Sequence, residues 1–346
     1  MSVTPQITAI LVCWQDRGDL LPAIDSLAAA RRRLGPGESS VGLTVVFNGS
    51  APGGREQVLA RWPGAAVFEN VENRGFGPAV NQAAGGSRAD VFLLVNPDTR
   101  AEGDLFEAIA RGFREHPEAA ALAPRLLEWE ENGSGSSGSR RLASPGTEDQ
   151  FTFQVRRLPR LASDARELLL FDHLFPDNAG RRASRYAEED RRRPFPVEQA
   201  AAAALAVRAD AFRDVGGFDE RFVPAWYEDV DLCRRLAAVG PILYWPAAAL
   251  RHRGGAASDR LGYDRFLPIF YANAIKYRRE WYPFSARAAY RALLAGGMLL
   301  RLAALPVRPA VPRPRGQAAR AYLAVLRVAL GFPPPPASRL PPADAP

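Results

Sequence analysis

Four short apolar runs punctuate the first hundred residues, and the stretches between them carry a different period. Residues 7–13, 43–47, 65–68 and 91–95 are continuously apolar rather than alternating, as strands buried on both faces are. Between the first two, Leu20, Ile24, Leu27 and Leu34 fall at helical spacing and stop at Gly35-Pro36-Gly37. Shorter helical stretches at 55–62 and 77–84 separate the later runs. This alternation predicts a parallel sheet with right-handed crossovers. Ligands of such sheets bind beyond the carboxyl ends of the strands. Asn48, Asn73 and Asp98 each follow a strand end, so all three are expected on one rim.

Farther on, the pattern predicts a helix over 103–116 and a strand over 120–123. "NGSGSSGS" (132–139) reads as a flexible loop, and residues 150–195, rich in Arg and Pro, carry no clear period. A strand is expected over 197–207 around "QAAAAALAV", then a helix over 229–239 and a strand over 242–245. The last 16 residues are Pro-rich and read as disordered.

Apolar residues make up 47% of the chain and charged ones 24%, the balance of a folded protein. Cys13 and Cys233, far apart and in apolar surroundings, read as buried thiols of a reducing compartment. No signal-peptide pattern and no membrane-length apolar run occurs, so a cytoplasmic location is expected. The net charge of +7 comes almost wholly from arginine, Lys276 being the single lysine. Residues 286–330 hold eight arginines and no acid, with Leu293-Leu294 and Met298-Leu299-Leu300 between them. Two readings fit: amphipathic helices on an anionic membrane surface, or a basic helical pair packed on the protein's own core. Nucleic acid is not an expected partner, because no binding motif or aromatic interleaving accompanies the charge.

Several stretches carry chemistry. "LLVNPDTR" (93–100) ends a strand on Asn96-Pro97-Asp98, either a corner or a carboxylate presented at the rim. In "WYEDVDLCRRLAAVG" (226–240) the spacing of Leu232, Leu236 and Val239 starts a helix near Asp229. Glu228 and Asp229 then stand at a helix N-terminus, where one can cap and the other can face a cleft as a general base. His252, in "ALRHRGG", precedes two glycines that allow close approach of a bulky group. "ENRGFGPAVNQA" (72–83) makes a turn into a helix whose glycines can admit a phosphate or sugar. Walker A, Gly-x-Gly-x-x-Gly and Gly-x-Ser-x-Gly sequences are all missing.

Taken in order, "VVFNGS", "ENRGFGPAVNQA", "LLVNPDTR", "VGGFDERFVPAWYEDVDLCRRL" and "RHRGG" make the chain resemble the inverting family 2 glycosyltransferases over about residues 5–280. Within them it is most similar to the bacterial rhamnosyltransferase-like branch. The resemblance implies an α/β, GT-A type, Rossmann-like and mostly parallel sheet flanked by helices, with a C-terminal amphipathic helical extension. Residues 1–275 would form the catalytic domain, 276–330 the basic membrane-associating helices and 331–346 the tail. Asp98 would hold Mg²⁺ or Mn²⁺ on the donor diphosphate, with His252 completing the metal site. Asp229 would be the catalytic base. Trp14, Asn48, Asn73, Arg74 and Asn96 would fall on the donor side, and Asp219, Glu220, Trp226 and Glu228 on the acceptor side.

Two positions depart from the family pattern. Phe47 replaces an Asp that usually helps read the nucleobase, and Cys13-Trp14-Gln15 replaces Thr-Tyr-Asn, leaving Trp14 to stack on the base and Asp16 to supply a carboxylate. The implied reaction moves a sugar, L-rhamnose from dTDP-rhamnose, to a lipid-linked saccharide of the cell envelope, at the inner face of the plasma membrane. A UDP-sugar donor such as UDP-galactofuranose, or a non-catalytic scaffold in polysaccharide assembly, are the rival readings.

Overall fold

The computed structural model describes residues 5–15, 18–35, 40–49, 53–129, 150–254, 261–306 and 314–334. Asp16, the 132–139 loop and the tail from 335 lie outside the described residues. The N-terminal half runs β1 (Ile7–Cys13), α1 (Leu20–Arg32), β2 (Val41–Asn48), α2 (Gly54–Arg61), β3 (Ala66–Asn70), α3 (Phe76–Gly85), β4 (Val91–Val95), β5 (Thr99–Glu102), α4 (Leu105–Glu115) and β6 (Ala121–Glu128). A middle segment of short pieces follows: α5 (Phe151–Gln154), β7 (Val155–Arg156), α6 (Leu161–Leu168), α7 (Phe171–Leu174), α8 (Ala179–Ser184), β8 (Phe195–Val197) and β9 (Gln199–Ala200). Then come β10 (Ala204–Arg208), α9 (Ala209–Asp214), α10 (Glu228–Leu236), β11 (Ile242–His252), α11 (Tyr263–Trp281), α12 (Phe284–Ala304) and α13 (Arg315–Ala329).

The main sheet has the order β3-β2-β1-β4-β10-β6-β11-β5, with β8 also paired to β11. β1 pairs parallel to β2 and β4, and β2 to β3. β10 runs antiparallel to both β4 and β6, so β6 points the same way as β4, and β11 follows β6. Six strands therefore share one direction, and β5, β8 and β10 return against them. The parallel order expected of the first four strands holds, and the sheet as a whole is mostly parallel, with β10 inserted antiparallel between β4 and β6.

Continuous apolar strands arise because both faces are covered. Leu93 and Val95 face a core shared with Leu20, Ile24, Leu27, Val58 and Ile109 of the helices on one side. Phe92 and Leu94 face Val80, Ala83, Phe212 and Leu232 on the other. With a period of two, neither face can be polar, and the run reads as unbroken.

Two strand boundaries differ from the sequence expectation, and both matter for the site. The 197–207 stretch is three pieces, β8, β9 and β10, with Ala201–Ala203 as an irregular link whose backbone groups are left for other partners. The 242–245 strand continues to His252 through an irregularity between Trp245 and Ala249, where Pro246 interrupts the ladder. His252 is thus a strand residue rather than one that follows a strand.

A third core joins α11, α12 and α13 to Leu168, Phe222 and Tyr227. Leu294 and Met298 are fully buried in it, while Leu299 and Leu300 stay exposed. Much of the apolar surface expected to lie on a membrane is therefore spent on the protein's own packing. A division at residue 275 falls inside α11. Among the described residues, no helix is long and apolar enough to cross a membrane.

Gly240, at the end of α10, abuts the start of β6 so closely that a Cβ would come 2.4 Å from the Glu118 carbonyl oxygen and 3.0 Å from the Ala120 nitrogen. Both are backbone atoms, which cannot move aside cheaply. Gly240→Ala should lower stability by about 1–3 kcal/mol in urea unfolding, with the m-value unchanged.

Candidate active site

The Asn96-Pro97-Asp98 turn does not end the sheet. The chain re-enters it at once as β5, which lies antiparallel to β11 with Thr99 opposite His252. That register sets Asp98 beside His252, and the Arg253 N–H donates to the Asp98 carbonyl at 3.1 Å. Both side chains are buried, with Asp98 Oδ1 3.5 Å from His252 Nε2. Burial works to raise the Asp98 pKa, but the hydrogen bond and charge of His252, the backbone and Arg253 outweigh it. The carboxylate is held below its ordinary value.

Gln150 orients the imidazole. Its Nε2 donates to the His252 carbonyl at 2.7 Å, which turns its Oε1 toward His252 Nδ1 at 2.8 Å. Nδ1 therefore carries a proton, and when Nε2 carries none the ring turns a lone pair toward the Asp98 carboxylate. Two lone-pair groups facing each other in a buried place suit a cation between them. Asp98 and His252 thus fit a divalent ion as two ligands, with the remaining positions open to a substrate. Among the described residues no third His, Cys, Asp or Glu joins them. Phe153 stacks on the His252 ring, centroids 5.3 Å apart. Gln150 and Phe153 were illegible in the sequence, since they lie in a segment without periodicity and reach the site only through tertiary contact.

On the donor side, Asn48 is a buried brace rather than a free ligand group. Its Nδ2 donates to Asn73 Oδ1 at 2.9 Å and to the Gly75 carbonyl at 3.1 Å. Its Oδ1 accepts from Asn70 Nδ2 and from the Arg74 N–H. All its hydrogen-bonding capacity serves the loop that leads into α3. Asn73 also accepts from the Gly75 N–H, whereas the Arg74 side chain is exposed on that rim. Trp14 is half-buried just past β1. Phe47 points into the core, its ring against Gly54, so residue 47 reads no base.

The carboxylate pair opens α10. The helix begins one residue earlier than its spacing suggested, with Tyr227 in the left-handed region at its N-cap, so Glu228 and Asp229 both lie in the first turn. Glu228 is buried, and its Oε2 has no hydrogen-bond partner. Burial and then the Asp229 charge push its pKa far up. Burial also raises Asp229, but N–H groups of Val230 and Ala202 and the nearby Arg156 oppose it. Asp229 keeps some accessible surface despite its depth. The proton of the pair therefore rests on Glu228 and the charge on Asp229, whose raised pKa suits it to accept a proton.

Backbone bonds tie this pair to the Asp98 turn. The Asn96 N–H donates to the Ala203 carbonyl at 3.0 Å, and the adjacent Ala202 N–H donates to Asp229. The irregular alanine link is the connector. On the other flank, the Phe76 N–H donates to the Pro224 carbonyl at 2.7 Å, joining the donor-side loop to the loop before α10. Asn273 of α11 holds that loop through the Val223, Ala225 and Trp226 carbonyls.

The four residues expected on the acceptor side separate. Asp219 is clamped by Arg221 at 2.6 Å, and Glu220 accepts from Asn81 at 3.1 Å, so both stabilise their own loop. Trp226 packs edge-on against Phe266, centroids 4.7 Å apart. Glu228 shares the first turn of α10 with Asp229.

Comparison with known proteins places this geometry. The family model "Glycosyl transferase family 2" matches residues 8–184, just over half of the chain. The chain belongs to this family. It is a glycosyltransferase with the GT-A type of fold. The N-acetylglucosaminyl-diphospho-decaprenol L-rhamnosyltransferase of Mycobacterium tuberculosis is 27% identical over 298 residues, 80% of this chain and 87% of that protein. Among solved structures, the Pyrobaculum calidifontis mannosyltransferase PcManGT, in complex with GDP-Man and Mn²⁺, is similar with a TM-score of 0.51 at 13% identity, over 94% of this chain and 87% of that one. GalNAc-T7 with UDP, GalNAc and Mn²⁺ gives 0.50 at 10% identity, over 79% and 50%. At these identities the two structures speak to the fold alone.

The protonated Glu228 has a consequence for stability. With its folded pKa raised above the ordinary 4.5, the native state holds a proton that the unfolded chain releases. Stability is then full below 4.5 and falls as the pH rises toward the folded value. Thermal melts of the wild type should show that decline, and Glu228→Gln should flatten it.

Proposed function

We propose that the chain is an inverting, metal-dependent glycosyltransferase that moves L-rhamnose from dTDP-rhamnose to a lipid-linked saccharide at the inner membrane face. The observation that carries this reading is the pairing of the Asp98–His252 site with an unequal carboxylate pair, joined through Asn96, Ala203 and Ala202. The mycobacterial relative supports L-rhamnose as the sugar and a polyprenyl diphosphate-linked saccharide as the acceptor. The Mn²⁺ in both structural relatives supports a divalent ion on the donor.

Asp98 and His252 would hold that ion, and an imidazole ligand favours Mn²⁺ over Mg²⁺. When bound, it neutralises the charge that builds on the departing nucleoside diphosphate. Asp229 accepts the proton of the acceptor hydroxyl as that oxygen attacks the anomeric carbon. The bond from that carbon to the diphosphate oxygen breaks on the opposite side, so the configuration inverts. Glu228, keeping its own proton, adds no second negative charge where the nucleophile forms. Gln150 preserves the tautomer that lets Nε2 face the cation.

Asp229→Asn should reduce transfer by about 10²–10⁴-fold while donor binding persists. An unchanged turnover would refute the base. Asp98→Ala should remove the metal dependence of donor binding, read by calorimetry with Mn²⁺ present and absent. A hydrolysis panel of dTDP-rhamnose, UDP-galactofuranose and UDP-hexoses tests the donor, and preference for a UDP-sugar would overturn the rhamnose assignment.

A further inference from the structure

The middle segment contains "LLLFDHLF" (168–175), whose side chains are placed against the usual rule for a folded surface. Leu168 is buried in the third core, yet Leu169 (45%), Phe171 (43%), Leu174 (68%) and Phe175 (56%) are exposed. This exposure is imposed by a braced turn. Asp172 is held by Arg166 at 3.3 Å and by Asn178 Nδ2 at 2.8 Å, and Asn178 also donates to the Phe175 carbonyl. α7 itself buries no residue. Four large apolar groups kept in water by a rigid turn serve no folding purpose and mark a contact surface.

The neighbourhood says what it contacts. α12 docks at the root of this turn: Gly297 lies against the Leu168 carbonyl, and Arg301 donates to the Leu168 and Glu167 carbonyls. Leu299 and Leu300, on the same stretch of α12, are exposed too. Residues 281–343 contain no Asp or Glu. Arg287, Arg291, Arg301 and Arg327 of α12 and α13 bond backbone carbonyls or lie over rings, with no carboxylate partner among the described residues. Arg301 adjoins the turn and the others lie on the same helices, and apolar side chains with such uncompensated positive charge fit a surface that is apolar within and anionic at its edge.

We propose that α7 and its flanking turn insert into an anionic lipid bilayer, with the arginines of α12 and α13 against the headgroups. The inference rests on the lipid-linked acceptor proposed above and assigns the membrane contact to a segment other than the basic helices alone. Through Leu168, the inserted turn stands on the same core that holds Tyr227, next to Glu228 and Asp229.

Co-sedimentation of the full chain with vesicles of phosphatidylglycerol and phosphatidylcholine tests it, against vesicles of phosphatidylcholine alone. The triple variant Phe171→Ser, Leu174→Ser, Phe175→Ser should lose about tenfold or more of its binding to the anionic vesicles, with an unchanged thermal melt. Arg287→Gln with Arg291→Gln should lose the preference for anionic over neutral vesicles. The proposal is overturned if the triple variant binds like wild type. It is equally overturned if the wild type shows no preference for anionic lipid, or if the triple variant only turns a dimer into a monomer. Donor hydrolysis, measured without vesicles, reports on the catalytic reading separately, and the triple variant should leave it unchanged.

Discussion

Thr99 of β5 sits opposite His252 of β11, and the chemistry of the site hangs on that single register. Side chains in a strand alternate faces, so a slip of one residue would turn His252 away from Asp98. The pairing also explains why Pro97 is useful where it stands. The chain must leave β4 beside β1 and re-enter the sheet at the far edge beside β11, with the carboxylate on the turn between. Gln150 then completes what the register begins, since its bonds to the His252 carbonyl and Nδ1 leave Nε2 as the nitrogen that faces Asp98.

The same division of labour recurs at α10. Two adjacent carboxylates in one buried helix turn cannot both ionise readily, and the surroundings decide which does. Val230 and Ala202 direct N–H groups at Asp229, whereas Glu228 Oε2 has no partner. The alanine link that supplies one of these donors also receives the Asn96 N–H. Its lack of large side chains allows the backbone itself to be the connector between the two halves of the site.

The C-terminal helices belong to the site as much as to the periphery. Asn273 fixes the loop before the base, Trp281 donates to Asp231 at 2.7 Å one turn into α10, and Arg278 pairs with Asp164 and stacks over Tyr290 at 3.6 Å. The helix set thus holds the loop before Asp229 on one side and carries exposed apolar and cationic groups on the other.

The strand–helix alternation of the first hundred residues, the position of Asp98 after β4 and the carboxylates at the start of α10 were all legible in the residues, and His252 was legible as a candidate. Each rests on local periodicity or on a motif whose order along the chain carries meaning. The resemblance to family 2 enzymes, not the pattern alone, assigned their roles. Asn48 misled because an asparagine after a strand looks the same whether it faces a ligand or braces a loop. Gln150, Phe153, Arg156 and the exposed turn at 168–175 had no local signal. The sequence by itself determined which segments are strands and helices, because hydrophobic period is a property of neighbours along the chain. Only the tertiary structure decided which carboxylate is charged, which histidine nitrogen faces Asp98 and which leucines remain in water. Those depend on burial and on contacts between residues far apart along the chain, Asp98 and His252 among them.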